Sequence, residues 1–83
     1  MRKSILEPLE HEPIFIGKII EEELRRQKRT VTWLSRKIHC DRRNIYDIFS
    51  RSSIDTGLLY RLSTALCTDF FAYYSTNLQT HDC

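Results

Sequence analysis

Residues 30–50, with the sequence TVTWLSRKIHCDRRNIYDIFS, decide the fold of this chain. Apolar residues in both halves of the stretch recur at spacings of three and four, which is typical of amphipathic helices. Thr30 (or Thr32, two residues later) and Asp41 precede the two apolar patterns, and both residue types are preferred N-caps. The stretch therefore predicts two short helices that are joined by a tight turn at residues 39–41.

Three further helices are predicted on either side of this unit. Residues 16–28 repeat apolar side chains every four positions, and residues 56–66, TGLLYRLSTAL, carry a broad apolar face. The aromatic stretch DFFAYYS at residues 69–75 follows another capping signal. Because no strand-like alternation appears in the sequence, we predict an all-α fold, a compact bundle of about five short helices.

The two ends of the chain differ from this helical middle. Residues 1–13 predict an extended arm, because Pro8 and Pro13 interrupt any helix and bias the residue before each proline toward extended geometry. Residues 14–76 predict a single domain, which is all that a chain of 83 residues has room for. The polar residues 77–83 predict a frayed tail.

The composition excludes several classes of protein. Hydrophobic residues make up 41% of the chain and recur periodically, which argues against intrinsic disorder. No apolar run approaches the roughly 20 residues of a membrane span, and the first residues lack the apolar core of a signal peptide. We therefore expect a cytoplasmic protein that has no membrane partner.

Reactive and metal-binding residue types are sparse. Cys40, Cys67 and Cys83 are odd in number and lack CxxC spacing, so we predict buried free thiols and no disulfide. His81 and Cys83 supply too few ligands for a structural zinc site, so no metal is expected. No Ser/His/Asp or Cys/His set and no glycine-rich phosphate loop is present, so we expect no enzyme activity, no cofactor and no small-molecule substrate.

The charge distribution is uneven. Residues 25–43 hold eight of the thirteen cations and one of the eleven anions, so a basic segment stands in an otherwise acidic chain. Such a patch attracts polyanions, although charge alone equally fits a solvated face that has no partner. The sharper signal is at Arg42 and Arg43, which open the second helix of the 30–50 stretch, where the helix dipole disfavours cations. A nearby phosphate or guanine would compensate for that cost.

Three spaced patterns point to one known family. They are T-x-x-x-L-S-x-x-I at residues 30–38, I-x-x-I-F at residues 45–49 and L-L-x-x-L-S-x-A-L at residues 58–66. Over residues 16–74 their order resembles the phage-repressor/Cro-like (XRE-type, lambda-repressor-like) helix-turn-helix family of bacterial regulators. That family usually has a glycine of positive φ in its turn, and this chain departs from the pattern with His39, a residue that tolerates left-handed backbone only with some strain.

The resemblance implies a sequence-specific DNA-binding transcriptional regulator of the repressor type. Its helix at residues 41–50 would enter the major groove of double-stranded DNA, and useful affinity would require a homodimer. The implied base-reading residues are Arg42, Arg43, Tyr46 and Asp47. The predicted phosphate contacts are Thr30, Arg36, Lys37, Asn44 and Arg51.

The surface through which two copies would pair is less sharply marked. One candidate is the aromatic set Phe70, Phe71, Tyr73 and Tyr74, whose alternative role is to close the core, and the other is the apolar N-terminal arm. Trp33 has the same two alternatives, packing between helices or exposure to a partner. The competing function is a protein-interaction module or antitoxin-like adaptor, which would keep the helix-turn-helix fold and work through the aromatic residues.

Overall fold

The computed structural model describes residues 14–80, and this part of the chain contains five α-helices. The helices are α1 (Ile16–Arg26), α2 (Val31–Lys37), α3 (Arg42–Phe49), α4 (Thr56–Leu66) and α5 (Phe71–Thr80). No strand occurs among the described residues, and the predicted all-α bundle is confirmed. The predicted arm, residues 1–13, and residues 81–83 lie outside the described part.

One apolar core joins the helices. Helix α1 contributes Ile16, Ile20 and Leu24, the stripe that its four-residue repeat predicts. The other buried apolar side chains follow along the chain: Leu34, Ile38, Ile45, Ile48, Phe49, Leu59, Leu62, Leu66 and Phe70. Burying one such side chain contributes roughly 1.5–3 kcal/mol, so this core outweighs any single surface interaction in so small a fold.

Three helices are followed, within two residues of their last residue, by a residue of left-handed backbone conformation, and none of these residues is glycine. They are Lys28 with φ of 58°, His39 with φ of 58° and Cys67 with φ of 51°. After each of them, the next amide donates to the carbonyl five positions earlier, which is the Schellman motif. The N···O distances are 3.1 Å for Arg29 to Leu24, 2.9 Å for Cys40 to Ser35 and 3.0 Å for Thr68 to Ser63.

Two predicted helix boundaries are wrong. Helix α1 ends at Arg26 and not near Lys28, because the left-handed backbone of Lys28 reverses the chain. Helix α5 continues to Thr80, although the sequence predicts a frayed tail from residue 77. Residues 71–80 contain neither proline nor glycine, and polar composition by itself does not end a helix.

A polar network around Gln27 ties the end of α1 to the connection between α4 and α5. The Gln27 side-chain amide donates to Glu23 at 2.7 Å, to the Leu66 carbonyl at 2.8 Å and to the Thr68 hydroxyl at 3.3 Å. Glu23 also accepts from Arg26. The bonds from Arg26 and then Gln27 lower the pKa of Glu23 from 4.5 to about 2, against the opposing effect of burial.

Candidate nucleic-acid interface

Helices α2 and α3 form a helix-turn-helix unit, joined by residues 38–41, and they pack more extensively than any other pair of described helices. Thr30 caps α2 as predicted, because its hydroxyl accepts from the Trp33 amide at 3.0 Å. Ser35 is buried, and its hydroxyl donates to the Thr32 carbonyl at 2.8 Å. Because this side chain is small and its hydroxyl is hydrogen-bonded within α2, α3 can approach α2 closely.

Backbone geometry and one long side chain fix the shape of the turn. His39 has a positive φ of 58°, so the turn contains a left-handed residue although the chain has no glycine there. The Cys40 amide donates to the Ser35 carbonyl at 2.9 Å, and Arg61 of α4 donates to the Ile38 carbonyl. The direction in which α3 leaves the turn is therefore set both by α2 and by α4.

The other end of α3 is held by the start of α1. The Gly17 amide donates to the Arg51 carbonyl at 3.0 Å, and the Ile16 amide donates to the Ser52 carbonyl at 3.3 Å. A Cβ atom on Gly17 would lie no more than 2.7 Å from three carbonyl oxygens of residues 48–51. Only glycine allows the two backbones to approach this closely.

The face of α3 that points away from the core is polar apart from one tyrosine ring. Its exposed residues are Arg42, Arg43, Asn44, Tyr46, Asp47 and Ser50. Arg42 and Arg43 stand in the first turn, which contains no acidic residue. Asp41 takes the predicted N-cap position, yet its side chain makes no capping hydrogen bond. The positive end of the α3 dipole thus carries two cations and no carboxylate bonded to its amides.

Asp47 and Arg51 form an ion pair on the same face. The Nε and Nη2 atoms of Arg51 both approach the Oδ2 atom of Asp47, at 2.9 and 2.8 Å. The pair joins one predicted base-reading residue to one predicted phosphate contact. Beside it, the Ser50 hydroxyl donates to the Asp47 carbonyl at 2.7 Å, and the Tyr46 ring lies edge-on to Phe49 with 6.2 Å between centroids.

A cleft of about 300 Å³ separates α3 from α4. Asn44, Asp47 and Arg51 line it on one side, and Leu58 and Arg61 line it on the other. Sequence reasoning missed Arg61, because its partner is a backbone carbonyl 23 positions earlier in the chain and no periodicity connects the two.

The predicted phosphate contacts on α2, Arg36 and Lys37, are exposed in its last turn. Trp33 is half-buried and packs against the core, as the first of its two alternatives predicts. Its ring also contacts two cationic side chains. The Arg29 guanidinium lies 4.4 Å from the Trp33 ring centroid and the Lys37 ammonium lies 5.6 Å from it. Trp33 and Lys37 share a face of α2 because they are four residues apart, whereas Arg29 precedes the N-cap Thr30 and its place beside the ring does not follow from helical spacing.

The cysteines differ from their prediction. Both described cysteines are free thiols, but Cys67 is exposed because it occupies the left-handed position after α4. Cys40 is half-buried beside the cleft, and burial raises the pKa of its thiol. Cys83 lies outside the described residues.

The aromatic residues near α5 divide between the core and the surface. Phe70 is fully buried, so this ring takes the alternative role and fills the core just before α5 begins. Phe71 and Tyr74 are half-buried, and burial raises the pKa of the Tyr74 hydroxyl. Tyr73 is 44% exposed and Leu78 is 63% exposed. The large apolar side chains that α5 exposes are therefore Tyr73 and Leu78.

Comparisons of this chain with known protein families, with curated proteins and with solved structures found no match. The resemblance to phage-repressor-type regulators stays a prediction from the residue pattern. Within residues 14–80, none of the helices has the length and apolar character needed to cross a bilayer. The same residues contain no group of three or more His, Cys, Asp or Glu side chains that is placed to hold a metal ion.

Proposed function

We propose that this chain binds double-stranded DNA with α3 in the major groove and acts as a transcriptional regulator of the repressor type. One observation carries the proposal. The exposed face of α3 opens with Arg42 and Arg43, which no acidic residue of the first turn opposes, while Ile45, Ile48 and Phe49 fasten the other face to the core. Two cations at the positive end of a helix are unfavourable in the free protein, and binding to guanine or phosphate offsets that cost.

Arg42 and Arg43 are the groups that would read bases. An arginine that donates two hydrogen bonds to guanine O6 and N7 contributes about 1–3 kcal/mol of discrimination against another base. Tyr46 lies one turn further along the same face and is 60% exposed, so it could contact a base beside those arginines. This direct readout is what makes the proposed binding specific for sequence.

Phosphate contacts would fix the position of α3 in the groove without reading sequence. Arg36 and Lys37 are exposed cations on α2, and Asn44 is an exposed amide on α3. The Thr30 hydroxyl accepts from the Trp33 amide, so its own hydrogen stays available for a phosphate oxygen.

A single helix of this length spans only a few base pairs, so we propose that two copies bind half-sites about 34 Å apart. The exposed part of α5, around Tyr73 and Leu78 with Phe71 and Tyr74 beside them, is the apolar surface through which two copies would pair. A dimer with twofold symmetry requires an inverted repeat in the DNA site.

In vitro selection of bound duplexes, followed by salt titration, tests the proposal. We expect Arg42→Ala and Arg43→Ala each to weaken binding to a selected duplex by about five- to 150-fold and to reduce the salt slope by about one. Arg25→Ala is the matched control, since it removes one cation of the basic segment from α1, where Glu21 already pairs with it at 3.0 Å.

Two outcomes would contradict parts of this proposal. If both arginine variants bind the selected duplex as the wild type does, with an unchanged salt slope, then α3 does not occupy the groove. If the selected sites lack an inverted repeat, the dimer is contradicted while DNA binding stands.

The second candidate is the protein-interaction module or antitoxin-like adaptor, which the exposure of Tyr73 and Leu78 favours. Such a protein would give no gel shift with random duplex at low salt, whereas a DNA-binding regulator shows sequence-independent binding under the same conditions. The adaptor would instead retain one protein partner, which Leu78→Glu would release.

A further inference from the structure

We infer that Asp47 is a specificity-determining residue that accepts a hydrogen bond from a base amino group in the major groove, and that Arg51 is its positioning residue. The inference rests on the proposed DNA binding and names the base chemistry at one position of the site. The two side chains form an ion pair at the exposed face of α3.

The geometry of the ion pair is one-sided. Arg51 directs both Nε and Nη2 to the same carboxylate atom, Oδ2 of Asp47, at 2.9 and 2.8 Å. A fork-to-fork pair would use both carboxylate oxygens. Within residues 14–80, no group donates to the Oδ1 atom, and the Asp47 side chain is 55% exposed. The pair therefore presents one oriented acceptor that remains open.

The carboxylate needs its arginine if it is to approach DNA. An unpaired anion in the groove is repelled by the phosphates that flank it, and Arg51 neutralises that charge from within the same helix. Because Arg51 is already engaged with Asp47, it adds little to phosphate binding as long as the pair persists. Its contribution is to hold Asp47 in place and to cancel its charge.

Acceptor chemistry selects the base. In the major groove, cytosine N4 and adenine N6 are amino donors, whereas guanine and thymine present carbonyl oxygens, which an aspartate oxygen repels. Asp47 thus selects cytosine or adenine on the strand that it faces. Asp47 lies four positions after Arg43 in α3. This offset corresponds to about 6 Å along the helix axis, or about two base pairs of DNA. The favoured half-site has cytosine or adenine about two base pairs from a guanine that Arg43 reads.

The test compares Asp47→Ala, Arg51→Ala and the double variant on a selected duplex and on its single-base variants. We expect Asp47→Ala to lose about tenfold discrimination between bases at one position of the site and to keep the base preference at every other position. Its affinity for the selected duplex should be unchanged, because Arg51 is then free to contact a phosphate. Arg51→Ala should bind every duplex more weakly, and the double variant should bind more tightly than Arg51→Ala alone. Asp47→Asn should shift the preference at that position toward adenine, which asparagine contacts with two hydrogen bonds.

Unfolding does not account for these effects. An exposed i,i+4 pair contributes about 0.3–0.5 kcal/mol, so all variants should melt within a few degrees of the wild type. The inference is overturned if Asp47→Ala keeps the wild-type preference at every position, or if Arg51→Ala and the double variant bind equally. Absence of duplex binding by the wild type would instead refute the proposed function itself, and the inference with it.

Discussion

The two ends of helix α3 are held in opposite ways. At the end of the helix, the amides of Ile16 and Gly17 donate to the chain that leaves α3, and three carbonyl oxygens occupy the space that a Cβ atom on Gly17 would need. At the start, Asp41 makes no side-chain capping bond, and Arg42 and Arg43 stand at the positive end of the dipole. One end is closed by tight backbone packing, and the other is open and electrostatically unfavourable.

The difference separates a structural role from the proposed binding role within eight residues. The closed end determines where the helix sits on the protein, and its interactions are satisfied within the chain. The open end keeps charges that an external anion would satisfy. Substitutions at the closed end should therefore change stability, and substitutions at the open end should change binding while stability stays the same or rises.

The largest effect is expected at the closed end. Gly17→Ala places a methyl group among three carbonyl oxygens that belong to backbone and cannot move aside, so α1 and α3 must separate. We expect a loss of about 3 kcal/mol in the free energy of unfolding, the upper range for overpacking a tight site. Denaturant titration followed by circular dichroism measures it.

Gly57→Ala is the matched control. Gly57 stands in the first turn of α4, and the nearest atom to its added methyl group would be the Asp55 side chain at 3.4 Å. Alanine has the higher helix propensity, so this variant should gain up to about 0.5 kcal/mol. If Gly17→Ala were as stable as Gly57→Ala, the close approach of α1 to α3 would be refuted.

The open end of α3 was the more predictable of the two from sequence. Capping preferences and periodicity placed Asp41, Arg42 and the exposed face, because these features depend on residues within one or two helical turns. The contact of Gly17 with the end of α3 joins residues about 30 positions apart, and a glycine in an amphipathic pattern does not reveal what lies above it. The same reason hid the bond from Arg61 to the turn.

Other predictions failed because composition does not determine burial or helix length. Phe70 and Tyr73 come from one aromatic stretch, yet Phe70 is fully buried and Tyr73 is 44% exposed. The position at which α4 ends, at the left-handed Cys67, decides which of these rings turns inward. That ending has no glycine to mark it in the sequence, and neither do the endings at Lys28 and His39.

An intermediate effect is expected in the turn that leads to the open end. At φ of 58° the Cβ atom of His39 lies close to the backbone, which costs about 1 kcal/mol, and His39→Gly removes this cost. Part of the resulting stabilisation is lost because glycine has greater conformational freedom in the unfolded chain. We expect a net gain of about 0.5 kcal/mol in unfolding experiments. His39→Ala keeps the Cβ atom and should show no gain. Equal stability of the two variants would indicate that the imidazole, and not the backbone, determines the energy of the turn.

The smallest change in stability is expected at Arg42. The sign of this change shows whether the cations at the start of α3 are unfavourable in the free protein. Arg42→Ala removes a cation from the positive end of α3, so the free protein should become more stable by about 0.3 kcal/mol at low ionic strength, and salt should abolish the gain. Arg36→Ala makes the same charge change in the last turn of α2, where a cation is favourable, and should lose a similar amount. Thermal melts at two salt concentrations measure both. If Arg42→Ala destabilised the protein as Arg36→Ala does, the charge of Arg42 would already be satisfied within the chain, and no external anion would be needed to offset it.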